Sequence, residues 1–68
     1  MTKDDLLLIR DFTSTDEKRE IAGDFGYQKD TVSAVIRGDR RVTDDNKPMF
    51  DKLLEKAKEN QNQKQLQK

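Results

Sequence analysis

The chain has no cysteine, no histidine and no tryptophan. Without cysteine there is no disulfide to staple a small fold and no thiolate metal site, a pattern that suits a reducing compartment. Without histidine as well, nucleophile–histidine dyads and most zinc sites are excluded. No apolar run approaches the ~18 residues of a membrane span. The start is acidic, and the run Leu6–Ile9 is too short for the core of a signal peptide. Net charge is missing too: 14 basic residues meet 14 acidic ones, so the chain lacks the overall basic excess of many nucleic-acid binders. Asp44-Asp45-Asn46 lacks the alternation and closing glutamate of a calcium loop, and no glycine-rich phosphate loop occurs. The remaining carboxylates fall on helix surfaces with no apolar pocket to tune them. The expectation is a cytoplasmic protein that is not an enzyme, with no metal, no small-molecule cofactor and no membrane partner.

What is present is a short, helix-patterned chain. Its 68 residues allow one domain, and a chain of about 60 residues buries only ~60% of its unfolded surface. Charge is segregated along it. Residues 1–34 hold five basic and eight acidic side chains, net −3; residues 35–68 hold nine basic and six acidic, net +3. Thr2 and Asp5 form a capping pair for a first helix, whose apolar face is Leu8, Ile9 and Phe12, with Leu6 or Leu7 flanking. Ser14 and Glu17 form a second capping box, opening a helix from about Thr15 to Phe25 that faces inward with Ile21, Ala22 and Phe25. Gly23 costs that helix ~1 kcal/mol relative to alanine, and close helix packing is the expected reason for it.

Gly26 supplies the left-handed backbone that ends this helix. A third helix follows from Gln28 or Lys29 to Arg37, with Val32, Val35 and Ile36 inward and Gly38 as its stop. Thr43, Asp44, Asp45 and Asn46 are all suitable caps for a fourth helix, with Pro48 in its first turn and Met49, Phe50, Leu53, Leu54 and Ala57 on its apolar face. The expected architecture is all-α: four helices, or five if a short extra turn forms, over residues 1–60. A polar tail of low complexity, read as disordered, covers residues 61–68.

The spacing Ala22, Gly26, Val32, Val35 is what two short helices need to cross over a tight turn, a helix-turn-helix pair. The segment Lys18–Arg37 resembles the helix-turn-helix of the lambda-repressor-like superfamily, which includes the Cro and lac-repressor families. Thr31-Val32-Ser33 followed by Val35-Ile36 is especially similar to the recognition helix of the lac-repressor type. The resemblance extends weakly through Val42-Thr43 to Phe50, Leu53 and Leu54, and covers about residues 15–57.

That resemblance implies a small prokaryotic or phage transcriptional regulator, repressor-like and nucleoid-associated, that binds double-stranded DNA with helix 29–37 in the major groove. It implies base-reading positions at Gln28, Lys29, Asp30, Ser33 and Ala34. Gln28 suits adenine, Lys29 guanine and Asp30 cytosine; Ala34 is expected to point outward, short where relatives often carry a long polar reader. Ser33 is also suited to phosphate or a thymine methyl. Phosphate contacts are implied at Lys18, Arg19, Thr31, Arg37, Arg40 and Arg41. A module this size buries roughly 600–1,000 Å² on DNA, so useful specificity calls for a homodimer. The alternative is a helix-turn-helix scaffold turned to protein binding, an antitoxin or a phage inhibitor of a host protein; zero net charge, Asp30 and the acidic first half favour it.

Overall fold

The first two helices open in the same way. Thr2 Oγ1 accepts the Asp5 N–H at 3.1 Å while the Asp5 carboxylate accepts the Thr2 N–H at 3.2 Å. Twelve residues on, Ser14 Oγ accepts the Glu17 N–H at 3.1 Å and Glu17 Oε1 accepts the Ser14 N–H at 2.8 Å. Each box satisfies two N–H groups that a helix start leaves without partners. In the computed structural model, which describes residues 1–66 and the side chains of 1–63, these boxes begin α1 (Lys3–Phe12) and α2 (Thr15–Asp24). Two further helices, α3 (Lys29–Arg37) and α4 (Lys47–Leu66), complete a fold with no strand among the described residues. The all-α, four-helix expectation holds.

Two glycines end α2 and α3 by the same device. Gly26 has φ +79°, the Tyr27 N–H donates to the Ala22 carbonyl at 2.8 Å and the Gly26 N–H to the Gly23 carbonyl at 3.1 Å. Gly38 has φ +90°, the Asp39 N–H donates to the Ala34 carbonyl at 2.9 Å and the Gly38 N–H to the Val35 carbonyl at 3.0 Å. Each is a Schellman closure, which needs one left-handed residue. At the start of α4, the Thr43 N–H donates to Asn46 Oδ1 at 2.7 Å and Thr43 Oγ1 accepts the Asn46 N–H at 3.3 Å. Of the four candidate caps, Thr43 and Asn46 are therefore the pair in use. Pro48 follows as the second residue of α4, where its missing N–H costs nothing.

The core is built from every helix. Ile9, Ala22, Val32, Met49, Phe50, Leu53 and Ala57 are fully buried, and Ile21 and Val35 nearly so, with Leu6, Leu8, Phe12, Tyr27, Ile36, Val42 and Leu54 packed around them. Burial of each large side chain contributes about 1.5–3 kcal/mol. Helices α1 and α4 make the most extensive contact and run parallel. Leu6 shares a groove with Thr43 and Lys47 at one end, and Asn60 Nδ2 donates to the Phe12 carbonyl at the other, 2.7 Å away. No helix of the described residues is long and apolar enough to cross a membrane.

Three expectations meet a different result. Phe25 is not in the core but 42% exposed. It is the residue at which α2 has already ended, with φ −100° and ψ 5°, so helical periodicity no longer sets its direction. Gly23 does not permit close packing: it is exposed, and a Cβ there would meet nothing within 4 Å. The segment from Gln61 does not leave the fold as a loose tail but continues α4 to Leu66. Gln, Lys and Leu are good helix formers, and extending a helix already nucleated by four packed turns avoids the cost of starting one. Gln67 and Lys68, the end of the expected tail, and the side chain of Leu66 lie outside the described residues.

Candidate nucleic-acid interface

The turn between α2 and α3 is short because Gly26 reverses the chain within Phe25–Gln28. Gln28 is the residue before α3, in extended conformation (φ −97°, ψ 155°), and its side chain makes no capping bond. It is therefore exposed and uncommitted at the opening of the helix. Val32 and Val35 turn into the core. The opposite face of α3 carries a shallow depression lined by Gln28, Asp30, Thr31, Ala34, Arg37, Asp39 and Arg40.

The structure thus brings together six of the sequence-derived positions, Gln28, Asp30, Thr31, Ala34, Arg37 and Arg40, on one surface. Lys29 and Ser33 stand beside it on α3, both half-buried. Ala34 departs from expectation. It does not stand out from the helix but forms the floor of the depression at 9% exposure. The Schellman return is the cause, since it folds Asp39 and Arg40 back so that both N–H groups donate to the Ala34 carbonyl, at 2.9 and 3.3 Å.

The charges of this surface nearly balance. Arg37 Nε donates to Asp39 Oδ2 at 3.2 Å, an exposed pair that solvent screens. Arg40 and Arg41 are exposed and have no ion-pair partner among the described residues. They part company, however. Arg40 lines the α3 depression and also the groove beyond it, whereas Arg41 lines only that second groove, together with Met1, Leu6, Val35, Gly38, Val42, Thr43, Asp44 and Lys47.

The two cations expected on α2 also diverge. Arg19 is exposed and only 4.0 Å from the exposed Asp16 carboxylate, a weak tie that leaves it available. Lys18 is committed: its Nζ donates to the Thr13 carbonyl at 2.6 Å. Burial pushes its ammonium below the ordinary lysine pKa, against the raising influence of Glu17 and Asp11. Lys18 is spent on the α1–α2 corner, where Thr13 is itself buried and donates its hydroxyl to the Ile9 carbonyl.

The groove holding Arg41 was not signalled by the sequence, because it forms where the α3–α4 loop meets α1, the end of α3 and the start of α4. Among the described residues no group of three or more His, Cys, Asp or Glu side chains is placed to hold a metal ion. Comparison of the chain with protein-family models, with curated proteins and with solved structures finds no match.

Proposed function

We propose that this chain binds double-stranded DNA sequence-selectively, with α3 in the major groove, as a small transcriptional regulator of a prokaryote or phage acting in the cytoplasm at the nucleoid. One observation carries the reading: α2 and α3 are joined by a glycine-closed turn that commits Val32 and Val35 to the core and leaves the opposite face of α3 open. A helix seated this way offers its N-terminal residues to base edges. Gln28, Lys29 and Asp30 are the readers in this reading, with Ser33 beside them; Ala34 contributes only a small apolar floor. Arg37 and Arg40, which follow along the same surface, and Arg19 and Thr31 take phosphates.

A second reading has its own support. Asp30 and Asp39 offset Arg37 and Arg40 across the α3 surface, and a balanced surface suits a protein partner as well as DNA. A salt titration against random duplex DNA separates the two. Counterion release makes log K fall linearly with log salt, by about 0.9 per phosphate contact. A DNA binder weakens steeply on that plot. No measurable affinity at low salt would transfer the surface to protein binding.

A further inference from the structure

We propose that copies of this chain associate head to tail, the exposed Phe25 of one seated in the groove between α1, the end of α3 and the start of α4 of the next. The two surfaces are opposite in charge, and the groove, about 450 Å³ in volume, is large enough to admit an aromatic ring. Its apolar wall is Met1, Leu6, Val35 and Val42, and its rim carries Arg40 and Arg41 against one acidic residue, Asp44, with Lys47 already paired to Asp51 at 3.1 Å. Phe25 is 42% exposed, an unusual state for a large aromatic side chain. It follows Asp24, and one turn earlier on α2 lies Glu20, both exposed. Glu20 and Asp24 line a depression with Lys52 and Lys56 of α4 but form no ion pair with them, and Arg40 and Arg41 have no ion-pair partner among the described residues.

The partner must be a second molecule. Phe25 lies at the turn before α3 and the groove at the far end of that nine-residue helix, which is about 13 Å long. A chain of zero formal charge adds no net repulsion between copies. The contact joins two different patches, and in the head-to-tail arrangement each added copy leaves one patch of each kind open, so growth continues past a dimer. One aromatic side chain with a charged rim is a small interface, in the class of weak associations.

Sedimentation equilibrium on the full chain, from micromolar to millimolar concentration, tests the proposal. The wild-type average mass should climb past that of a dimer and fall as salt is added. Phe25→Ser and Arg41→Glu should each remain monomeric and keep the wild-type helicity, since neither residue belongs to the core. An equal mixture of the two variants holds one intact Phe25 surface and one intact groove, and should stop at a dimer. Asp24→Lys serves as a second variant of the Phe25 surface should Phe25→Ser lose structure, and should also prevent association. A wild-type protein that stays monomeric or halts at a dimer would overturn the proposal. So would variants that associate like the wild type, or a mixture that stays monomeric.

Discussion

Asn60 Nδ2 donates to the Phe12 carbonyl at 2.7 Å, linking residues 48 apart in the chain. The same amide reaches both oxygens of Glu17 at 3.2 Å. Glu17 in turn holds the Ser14 N–H and lies 3.7 Å from Lys56 Nζ. One α4 side chain thereby ties the end of α1 to the beginning of α2. Asn60→Ala removes donors from acceptors in a half-buried corner, and such losses cost about 1–3 kcal/mol. The expected result is a lower melting temperature; an unchanged melt would show the corner to be held by packing alone.

The Glu17 carboxylate sits below the ordinary glutamate pKa. The Ser14 N–H is the largest cause; Asn60, Lys56 and the Ser14 side chain add to it, while partial burial opposes it. A carboxylate with a depressed folded-state pKa binds protons more readily when unfolded. Its stabilisation is complete above the unfolded value, near 4.5, and is lost as pH falls through the lower folded value. Glu17→Gln should melt at lower temperature than wild type at pH 7, and the gap should narrow between pH 5 and pH 3. A gap that held constant over that range would remove Glu17 from the acid response.

Two glycines, one within α2 and one in the turn after it, give opposite forecasts for the same substitution. A Cβ at either Gly23 or Gly26 meets nothing within 4 Å, so backbone conformation alone decides. Gly26 has φ +79°, where a non-glycine residue costs about 1–2 kcal/mol. Gly23 lies within α2, where alanine is favoured by up to ~1 kcal/mol. Gly26→Ala should lower the melting temperature and Gly23→Ala raise it. Shifts of the same sign would contradict the turn geometry.

If α3 reads DNA, Lys29→Ala should relax preference at one base-pair position, by ~1–3 kcal/mol for a good contact. Arg40→Ala should flatten the salt slope by ~0.9 on all sequences. Asp30→Asn should raise affinity for random duplex, since the carboxylate repels phosphate. Lys18→Ala is the control: its ammonium is held by the Thr13 carbonyl, so it should lower stability and leave the slope alone. A Lys18 variant that flattened the slope while Arg40→Ala did not would move the DNA to another face.

Much of the fold was legible in the sequence because its signals are local. Thr2 with Asp5, Ser14 with Glu17, Gly26 and Gly38 each act within three or four residues of themselves, and all do so as the sequence implies. What stayed hidden depends on where the chain goes next. Phe25 fits the inward face of α2 by spacing from Ile21, but the helix ends one residue too soon to enforce it. Ala34 is a floor with Asp39 and Arg40 beside it, a neighbourhood set by the chain's return after Gly38. Lys18 could reach outward or back to Thr13, and sequence spacing does not select the rotamer. For Arg41, the absence from the α3 depression that Arg37 and Arg40 share appears only when the α3–α4 loop is set against α1.

The parallel course of α1 and α4 has a practical consequence for anyone attaching a tag or a reporter. Met1 lies at the mouth of the Arg41 groove, whereas the twenty-residue α4 carries the chain away toward the opposite pole, a run of about 30 Å. A label fused ahead of Met1 would crowd the groove and the neighbouring α3–α4 loop. A label placed beyond the Asn60 corner on α4 stands at the end of the molecule away from that groove.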